Sequence, residues 1–361
     1  MKDMATTTVA TNGGKGNYSY ANNSYYQKLA ADLVNDSINE VIMEKLDVKS
    51  LSSTSNTICI SDFGCAVGPN TCFAMQNMVD TIEKKFHIQS PDSSVPKFFV
   101  FFNDMVSNDF NTLFTSLPVE RSYFAAGVPG SFHGRLFPNC SLQFAYSSIA
   151  LHWLSTIPEE LLDHNSPAWN KGRIHYSGAP DCVLNAYACQ FARDMENFLD
   201  SRAKEIVVGG MMAIIMPGFP LGMPFSRSSA GLMYDCMATI FMEMAQEGLI
   251  GEDQVHNFNL PIYSASPEEI ERAVEKNGCF SIEMNELRNP TSSLQGPISA
   301  FISEWTLHVR AAFEGMFIKH FKSEAVNDMF DRLIVKLTEI SDQLDSSYVE
   351  KIQLLVVLKR K

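Results

Sequence analysis

Short, continuously apolar stretches recur along this chain and alternate with segments in which apolar residues follow helical spacing. Unbroken apolar strands are typical of a parallel sheet that helices cover on both faces. The pattern therefore predicts an α/β fold with a doubly wound core. The predicted strands are residues 57–60, 98–102, 142–145, 206–216 and 352–358, and the predicted helices cover residues 31–46, a stretch from about residue 69, and residues 183–204.

Two later regions do not follow the sheet pattern and predict a helical cap. Residues 217–262 contain a methionine-rich helical stretch, and residues 305–345 are helical again. Between them a helix is predicted to begin at Ser266, with Glu269 completing a capping box, and to end at Gly278. We expect a mobile N-terminus (1–16), a polar linker (50–55) and one large domain (17–361) whose cap segments lie at about 217–262 and 305–345.

Charge and cysteine content argue against several classes of protein. The chain carries 28 Lys and Arg against 41 Asp and Glu, a net charge of −13, whereas a nucleic-acid binder needs a basic surface. None of the eight cysteines stands in a C-x-x-C pair, which disfavours a zinc cluster or a disulfide framework. The longest apolar run, residues 206–219, is shorter than the ~20 residues that span a bilayer. We expect a cytoplasmic protein that binds neither nucleic acid nor a membrane.

A glycine turn between the first predicted strand and the next helix predicts a ligand site. The segment Asp62-Phe63-Gly64-Cys65-Ala66-Val67-Gly68-Pro69-Asn70 lies at the carboxyl end of a strand, where open α/β sheets bind ligands. Its G-x-x-x-G spacing is not the dinucleotide pattern G-x-G-x-x-G, and no Lys-Ser or Lys-Thr follows it to hold a phosphate. The site is therefore expected to take neither a dinucleotide nor a phosphate loop ligand.

Two acidic residues at this edge suit a ligand that carries positive charge and no phosphate. S-adenosylmethionine has an ammonium and a sulfonium group, so Asp62 is expected near its methionine end. Asp104, which ends the next strand, is expected to accept hydrogen bonds from both ribose hydroxyls. On the residues alone, a second interpretation stays open, in which these are two ordinary strand-end turns.

Five sequence motifs follow one another along the chain. They are Gly13-Gly14-Lys15-Gly16 with Ser19-Tyr20, Asn23-Ser24 and Gln27; Asp62-Phe63-Gly64-Cys65 with Gly68-Pro69-Asn70; Phe102-Asn103-Asp104 with Asn108-Asp109-Phe110-Asn111; Gly127-Val128-Pro129-Gly130-Ser131-Phe132; and Leu151-His152-Trp153-Leu154-Ser155. In this order they resemble the motifs of the SABATH family of plant methyltransferases, and the similarity extends from about Gly13 to Leu358. The resemblance implies a Rossmann-like class I methyltransferase core with a helical cap, S-adenosyl-L-methionine as cofactor, and a homodimer. Family members methylate the carboxyl groups of small acids such as salicylate, jasmonate, farnesoate or iridoid acids, and one branch methylates the nitrogens of xanthines.

The same motifs imply which residues form the site. Gln27 and Trp153 would hold the acceptor carboxylate, and Ile149, His152 and Tyr234 would line the substrate pocket. The residues implied to contact the cofactor are Tyr20, Ser24, Asp62, Cys65, Asn70, Asp104, Met105, Ser131, Phe132, Ser147 and Ser148.

Departures from the family pattern bear on the substrate and on a metal. Asn12 stands where several members have Lys, and Ile149 replaces a common aromatic residue. The family often has a magnesium site at a D-x-F-N motif with a distant Asn. Here His256 takes the Asp position before Phe258 and Asn259, with Asn170 as the distant partner. Magnesium prefers oxygen ligands, so the pattern disfavours a magnesium site.

The chemistry agrees with a carboxyl acceptor. A carboxylic acid with a pKa near ~4 is already ionised at neutral pH, so no base has to remove a proton. Gln27 and Trp153 offer neutral N–H donors, which orient an anion without neutralising it. The predicted product is the methyl ester of an iridoid, jasmonate-like or aromatic acid. The alternatives are N-methylation of a xanthine-type heterocycle and a catalytically silent binding protein.

Overall fold

One mixed seven-stranded sheet runs through the computed structural model, which describes residues 9–53, 55–292 and 296–361. The five predicted strands are confirmed, and two more flank them. In chain order the strands are β1 (Thr57–Phe63), β2 (Lys97–Asp104), β3 (Tyr123–Pro129), β4 (Leu142–Ser148), β5 (Ile206–Pro217), β6 (Phe280–Arg288) and β7 (Gln353–Arg360).

The strand order across the sheet is β3-β2-β1-β4-β5-β7-β6. Neighbours from β3 to β5 pair in parallel, whereas β7 runs antiparallel to both β5 and β6. The expectation of a wholly parallel sheet is therefore wrong at one strand. β7 is as apolar and as buried as a central parallel strand, because it too is covered on both faces, so its direction leaves no mark on composition.

Helices cover both faces of the sheet. α2 and α4 pack with β1 and β2 around one apolar cluster, and α6 and α9 pack with β4, β5 and β7 around a second. The helices are α1 (Tyr20–Asn23), α2 (Tyr25–Lys45), α3 (Val48–Ser52), α4 (Pro69–Gln89), α5 (Phe110–Ser116), α6 (Asp181–Glu205), α7 (Ser229–Gln246), α8 (Glu252–His256), α9 (Pro267–Asn277), α10 (Ile302–Phe321), α11 (Ser323–Glu339) and α12 (Ser341–Asp345).

Local signals explain two of the helix ends. Ser266 and Glu269 form the expected capping box at the start of α9, and Gly278 ends the helix with a φ of 69°. By contrast, the polar linker expected at residues 50–55 is partly helical, because Asp47 accepts the backbone N–H of Ser50 at 3.1 Å and caps α3. Residue 54 of that linker lies outside the described residues.

A third apolar cluster is built from the helices of the expected cap. α7, α8, α10 and α11 supply most of it, and the Phe241 and Phe321 rings stack with their centroids 4.2 Å apart. The domain boundaries themselves stay a prediction. Of the segment 1–16, residues 1–8 lie outside the described residues, and Asn12 donates its backbone N–H to Ala311 of α10 at 2.9 Å. The mobility of the segment stays a prediction.

Candidate active site

The turn after β1 brings the chain close to the end of β4. Gly64 has a φ of 84°, and a Cβ there would lie 2.3 Å from the Ala150 Cβ, so only glycine fits without displacing backbone. Ala66 follows with a φ of 51°, and α4 begins at Pro69. The turn thus leaves a recess between the carboxyl ends of β1, β2 and β4 and the start of α4.

Two carboxyl groups lie near this recess, Asp62 in its lining and Asp104 behind the turn at Ala66. Asp104 accepts the backbone N–H groups of Ala66 at 2.8 Å and of Met105 at 2.7 Å, and Asp62 accepts the Thr71 hydroxyl. Burial raises the pKa of Asp62 to about 7, with Thr71 opposing the shift and Asp104 adding to it. Burial likewise raises the pKa of Asp104 to about 6, against the effect of its two backbone hydrogen bonds. Buried carboxylates of this kind favour a cationic ligand, which is what the expected cofactor offers.

A cavity of about 40 Å³ occupies the recess. Among the residues expected to bind the cofactor, those in its lining are Tyr20, Asp62, Cys65, Asn70 and Ser148. Burial raises the pKa of the Tyr20 hydroxyl, and the nearby carboxylates of Asp104 and Asp62 raise it further.

Other residues expected to bind the cofactor support the wall of this cavity. Ser24 accepts from the Asn70 amide at its hydroxyl (3.0 Å) and carbonyl (2.8 Å). The Ser147 hydroxyl is buried and donates to the Phe63 carbonyl at 2.8 Å. Met105 contributes the backbone N–H that Asp104 accepts. A direct cofactor contact from each of these side chains stays a prediction.

Ser131 and Phe132 lie on the loop after β3, which a buried ion pair holds in place. Arg202 donates to the carbonyls of Phe132 at 3.0 Å and Gly134 at 2.8 Å, and it pairs with Glu205 at 2.7 Å. Both charged side chains are fully buried. The sequence analysis did not single them out, since an Arg and a Glu three residues apart on a helix usually form an exposed pair.

A second cavity of about 270 Å³ lies under the cap. All five residues expected at the acceptor line it: Gln27, Ile149, His152, Trp153 and Tyr234. Tyr20 and Gln27 line both cavities, so the two spaces meet at these side chains. Among the described residues that line the larger cavity there is no Lys, Arg, Asp or Glu.

Ile149 sits in a strained conformation at the end of β4. Its φ is 51°, in the left-handed region that β-branched residues rarely adopt. Its backbone N–H donates to the Ile215 carbonyl at 2.7 Å, which helps to hold this conformation. Strain of this kind costs about 1–3 kcal/mol and concentrates at functional sites. Because Ile149 lines the larger cavity, its strain supports a functional role for that cavity.

His308 of α10 completes the acceptor side, and the sequence analysis missed it. Its ring nitrogens lie 3.1 Å from the Gln27 Nε2, and its Nδ1 lies 3.1 Å from the Asn23 carbonyl oxygen. Burial lowers the pKa of His308 to about 4, although the Asn23 carbonyl opposes the shift. Burial lowers the pKa of His152 to about 3, and proximity to His308 adds to the effect. Both imidazoles are therefore neutral at pH 7.

The residues considered for a metal do not fit magnesium. Asn170 Nδ2 donates to Asn259 Oδ1 at 2.7 Å, so one of the two amide oxygens already accepts a hydrogen bond, whereas the buried Asn170 Oδ1 has no hydrogen-bond partner among the described residues. Phe258 packs in the cap cluster, and His256 Nε2 pairs with Glu252 at 3.2 Å. Within the described ranges no three His, Cys, Asp or Glu side chains are grouped as metal ligands. This donor set lacks the several oxygens that magnesium requires.

The chain is similar over nearly its whole length to known proteins. The family described as SAM dependent carboxyl methyltransferase matches residues 6–361. A loganic acid O-methyltransferase of Catharanthus roseus is 45% identical over 353 residues, covering 97% of this chain and 93% of the relative. A farnesoic acid carboxyl-O-methyltransferase of Arabidopsis thaliana is 36% identical, covering 98% and 99%. The solved structure of a loganic acid methyltransferase with SAH superposes with a TM-score of 0.92 at 44% identity, covering 97% of this chain and 98% of that one.

Proposed function

The chain belongs to the S-adenosylmethionine-dependent carboxyl methyltransferase family, and on that premise we propose that the acid it methylates is compact and has a largely apolar body. The observation that carries the proposal is the larger cavity, whose lining is mainly aromatic and aliphatic, with uncharged Ser, Thr, Gln and His side chains among them. The volume of about 270 Å³ is slightly smaller than that of typical ligand pockets, which run from ~300 to ~1,000 Å³.

Loganic acid, an iridoid, and farnesoic acid, an isoprenoid, appear in the names of two relatives. We propose acids of these two classes as the first acceptors to test. Ile149 and Tyr234 in the lining favour the less polar of them, since Ile149 offers no hydrogen bond and Tyr234 offers one. The exposed carboxylate of such an acid would lie toward Gln27, where the two cavities meet.

S-adenosylmethionine supplies a methyl group on a cationic sulfur, and when a carboxylate oxygen forms the new C–O bond the S–C electron pair stays on sulfur. The protein's part is placement. Gln27 and Trp153 are proposed to orient the carboxylate with neutral N–H donors, because a fixed cation would hold the anion but make it a poorer nucleophile. The apolar lining keeps water from the reacting oxygen. No base is required, since the acid is already ionised.

The test is a panel of iridoid, isoprenoid, jasmonate-like and aromatic acids, with xanthines added, assayed with radiolabelled methyl donor. We expect an ester that mild alkali cleaves. Gln27→Ala and Trp153→Phe should lower turnover about 100-fold by misplacing the acceptor, while the affinity for S-adenosylhomocysteine stays near that of the wild type. An alkali-stable N-methyl product from a xanthine, with no ester from any acid, would overturn the proposal.

We also propose that the protein acts in the cytoplasm and as a homodimer. All eight cysteines are free, which suits a reducing compartment. Tyr25 and Phe73 are more than half exposed, and Lys28 lies 6.0 Å from the Phe73 ring centroid, so apolar surface is available for a second copy. Light scattering with Phe73→Asp tests the dimer, and imaging of a fluorescent fusion tests the location.

A further inference from the structure

His308 reaches the junction of the two cavities from an element that carries none of the sequence motifs. It lies on α10, whereas Gln27 lies on α2 and Asn23 ends α1. The Tyr26 ring packs against the imidazole with centroids 5.7 Å apart. The ring is therefore held by three residues that follow one another closely in sequence, all at the acceptor end of the site.

The contacts of His308 fix its tautomer. A carbonyl oxygen only accepts hydrogen bonds, so the Nδ1 that lies 3.1 Å from Asn23 O must carry the ring proton. The imidazole is neutral, and its Nε2 is therefore left as an acceptor. The Gln27 Nε2 lies 3.1 Å from both ring nitrogens, and because Nδ1 carries the ring proton, Gln27 donates an N–H group to His308 Nε2.

The tautomer in turn fixes the Gln27 carboxamide. Turning the amide over would place its oxygen about 3.1 Å from the lone pair of His308 Nε2, where two acceptors repel each other. The same oxygen would lie equally close to the Nδ1 proton, but that proton already bonds to the Asn23 carbonyl. The observed orientation leaves Gln27 with a second N–H, and His308 does not use it. A carboxylate accepts hydrogen bonds only, so this orientation is the one that suits an acid.

We propose that His308 is a positioning residue, which sets the orientation of the Gln27 carboxamide for the acceptor carboxylate. The inference rests on the proposed role of Gln27 at the acceptor. Asn23 determines the ring tautomer, His308 determines the amide orientation, and Gln27 contacts the acid. His308 is thus not required to touch the reacting atoms.

A double-mutant cycle tests the proposal, because a residue that acts through Gln27 has nothing left to act on once Gln27 is removed. His308→Phe keeps the ring and removes both nitrogens. We expect it to lower kcat for the preferred acid about 10- to 100-fold, with little change in the affinity for S-adenosylhomocysteine. In the Gln27→Ala background the same substitution should change kcat little. His308→Asn, which retains a donor and an acceptor, should keep more activity than His308→Phe.

Trp305→Leu is the matched control. Trp305 is on the same helix and lines the same cavity, and the described contacts of Gln27 do not include it. The fold-losses in kcat caused by Trp305→Leu and by Gln27→Ala should multiply in the double variant. That result would show that a further loss of kcat can still be measured in the Gln27→Ala background. If the effects of His308→Phe and Gln27→Ala multiply as well, the proposal is wrong.

A second measurement does not depend on turnover. In ¹⁵N spectra of the protein with S-adenosylhomocysteine, His308 should appear as the neutral Nδ1–H tautomer with a hydrogen-bonded Nε2. Gln27→Ala should shift the Nε2 resonance toward that of a free imidazole nitrogen. An Nε2–H tautomer, or an Nε2 resonance whose chemical shift does not change on Gln27→Ala, would overturn the positioning role. If no acid is methylated but these spectra are as expected, the proposed function fails while the orientation of Gln27 by His308 stands.

Discussion

Asp104 supports the turn that walls the cofactor recess, through the N–H groups of Ala66 and Met105. Asp104→Ala removes both acceptors, and hydrogen bonds to a charged group contribute about 1.5–3 kcal/mol each. We expect the affinity for S-adenosylhomocysteine to fall at least about 10-fold, as measured by calorimetry. Asp109→Ala is the control, because Asp109 caps α5 through Thr112 at 2.9 Å and should change stability more than affinity. An unchanged affinity in Asp104→Ala would remove this residue from the site.

The raised pKa values of Asp62 and Asp104 predict proton release on binding. Both lie above the ordinary value of 3.8, at about 7 and about 6. Ionising these groups therefore costs stability in the folded protein, and their contribution to stability is present below about pH 4 and lost as the pH rises through 6 to 7. A cationic ligand favours the ionised forms.

Between pH 6 and 7, S-adenosylmethionine should consequently displace protons from these two groups, and calorimetry in buffers of different ionisation enthalpy should give different heats. S-adenosylhomocysteine lacks the sulfonium charge and should release fewer protons. Equal heats in all buffers would show that the two carboxyl groups are already ionised before the ligand binds.

The site residues near strand ends could be predicted from the sequence. The site residues that helix packing brings to the same place could not. Asp62, Gly64 and Asp104 lie at the carboxyl ends of apolar strands, so parallel pairing alone brings them to one edge. His308 does not stand next to a strand in the sequence. It is one histidine on an ordinary cap helix, and only the packing of α10 on α1 and α2 carries it to Gln27.

At the scale of elements, the strands that sequence analysis missed are the two edges of the sheet. In β3 only Tyr123 is buried and the other residues are half-buried or exposed, and β6 is half-buried along nearly its whole length. A search for unbroken apolar runs finds strands covered on both faces, and an edge strand does not meet that condition. The family, the Rossmann-like core and the cofactor were predicted and are confirmed.

Magnesium is predicted to be dispensable at the contact between the loop before α6 and the segment after α8. Asn170 and Asn259 already bond to each other across it, and a cation would have to break that hydrogen bond to reach the Asn259 oxygen. Dialysis against a chelator should leave both the turnover number and the melting temperature unchanged. A loss of activity that added magnesium restores would contradict this.

At the scale of the whole molecule, the shared wall between the two cavities predicts that the ligands bind cooperatively. Tyr20 and Gln27 line both spaces, so a ligand that orders them in one cavity lowers the cost of binding in the other. S-adenosylhomocysteine at 100 times its Kd should raise the free energy of unfolding by about 2.7 kcal/mol. The preferred acid should bind more tightly in its presence than alone.

Calorimetric titration of the acid with and without S-adenosylhomocysteine measures this coupling, and linkage requires the same factor in the reverse order. Gln27→Ala should reduce it. Equal acid affinities in the two titrations would show that the cavities bind independently.

The antiparallel strand β7 also bears on how the protein is made. Met211 of β5 pairs with Lys359, about 150 residues later, and such distant pairings form slowly. During synthesis at about 5–20 residues per second, one edge of β5 therefore stays unpaired for roughly 7–30 seconds until β7 is made. An apolar strand that lacks its partner on a nascent chain for that long can pair with other chains, so we expect this polypeptide to be prone to aggregation during synthesis until β7 emerges.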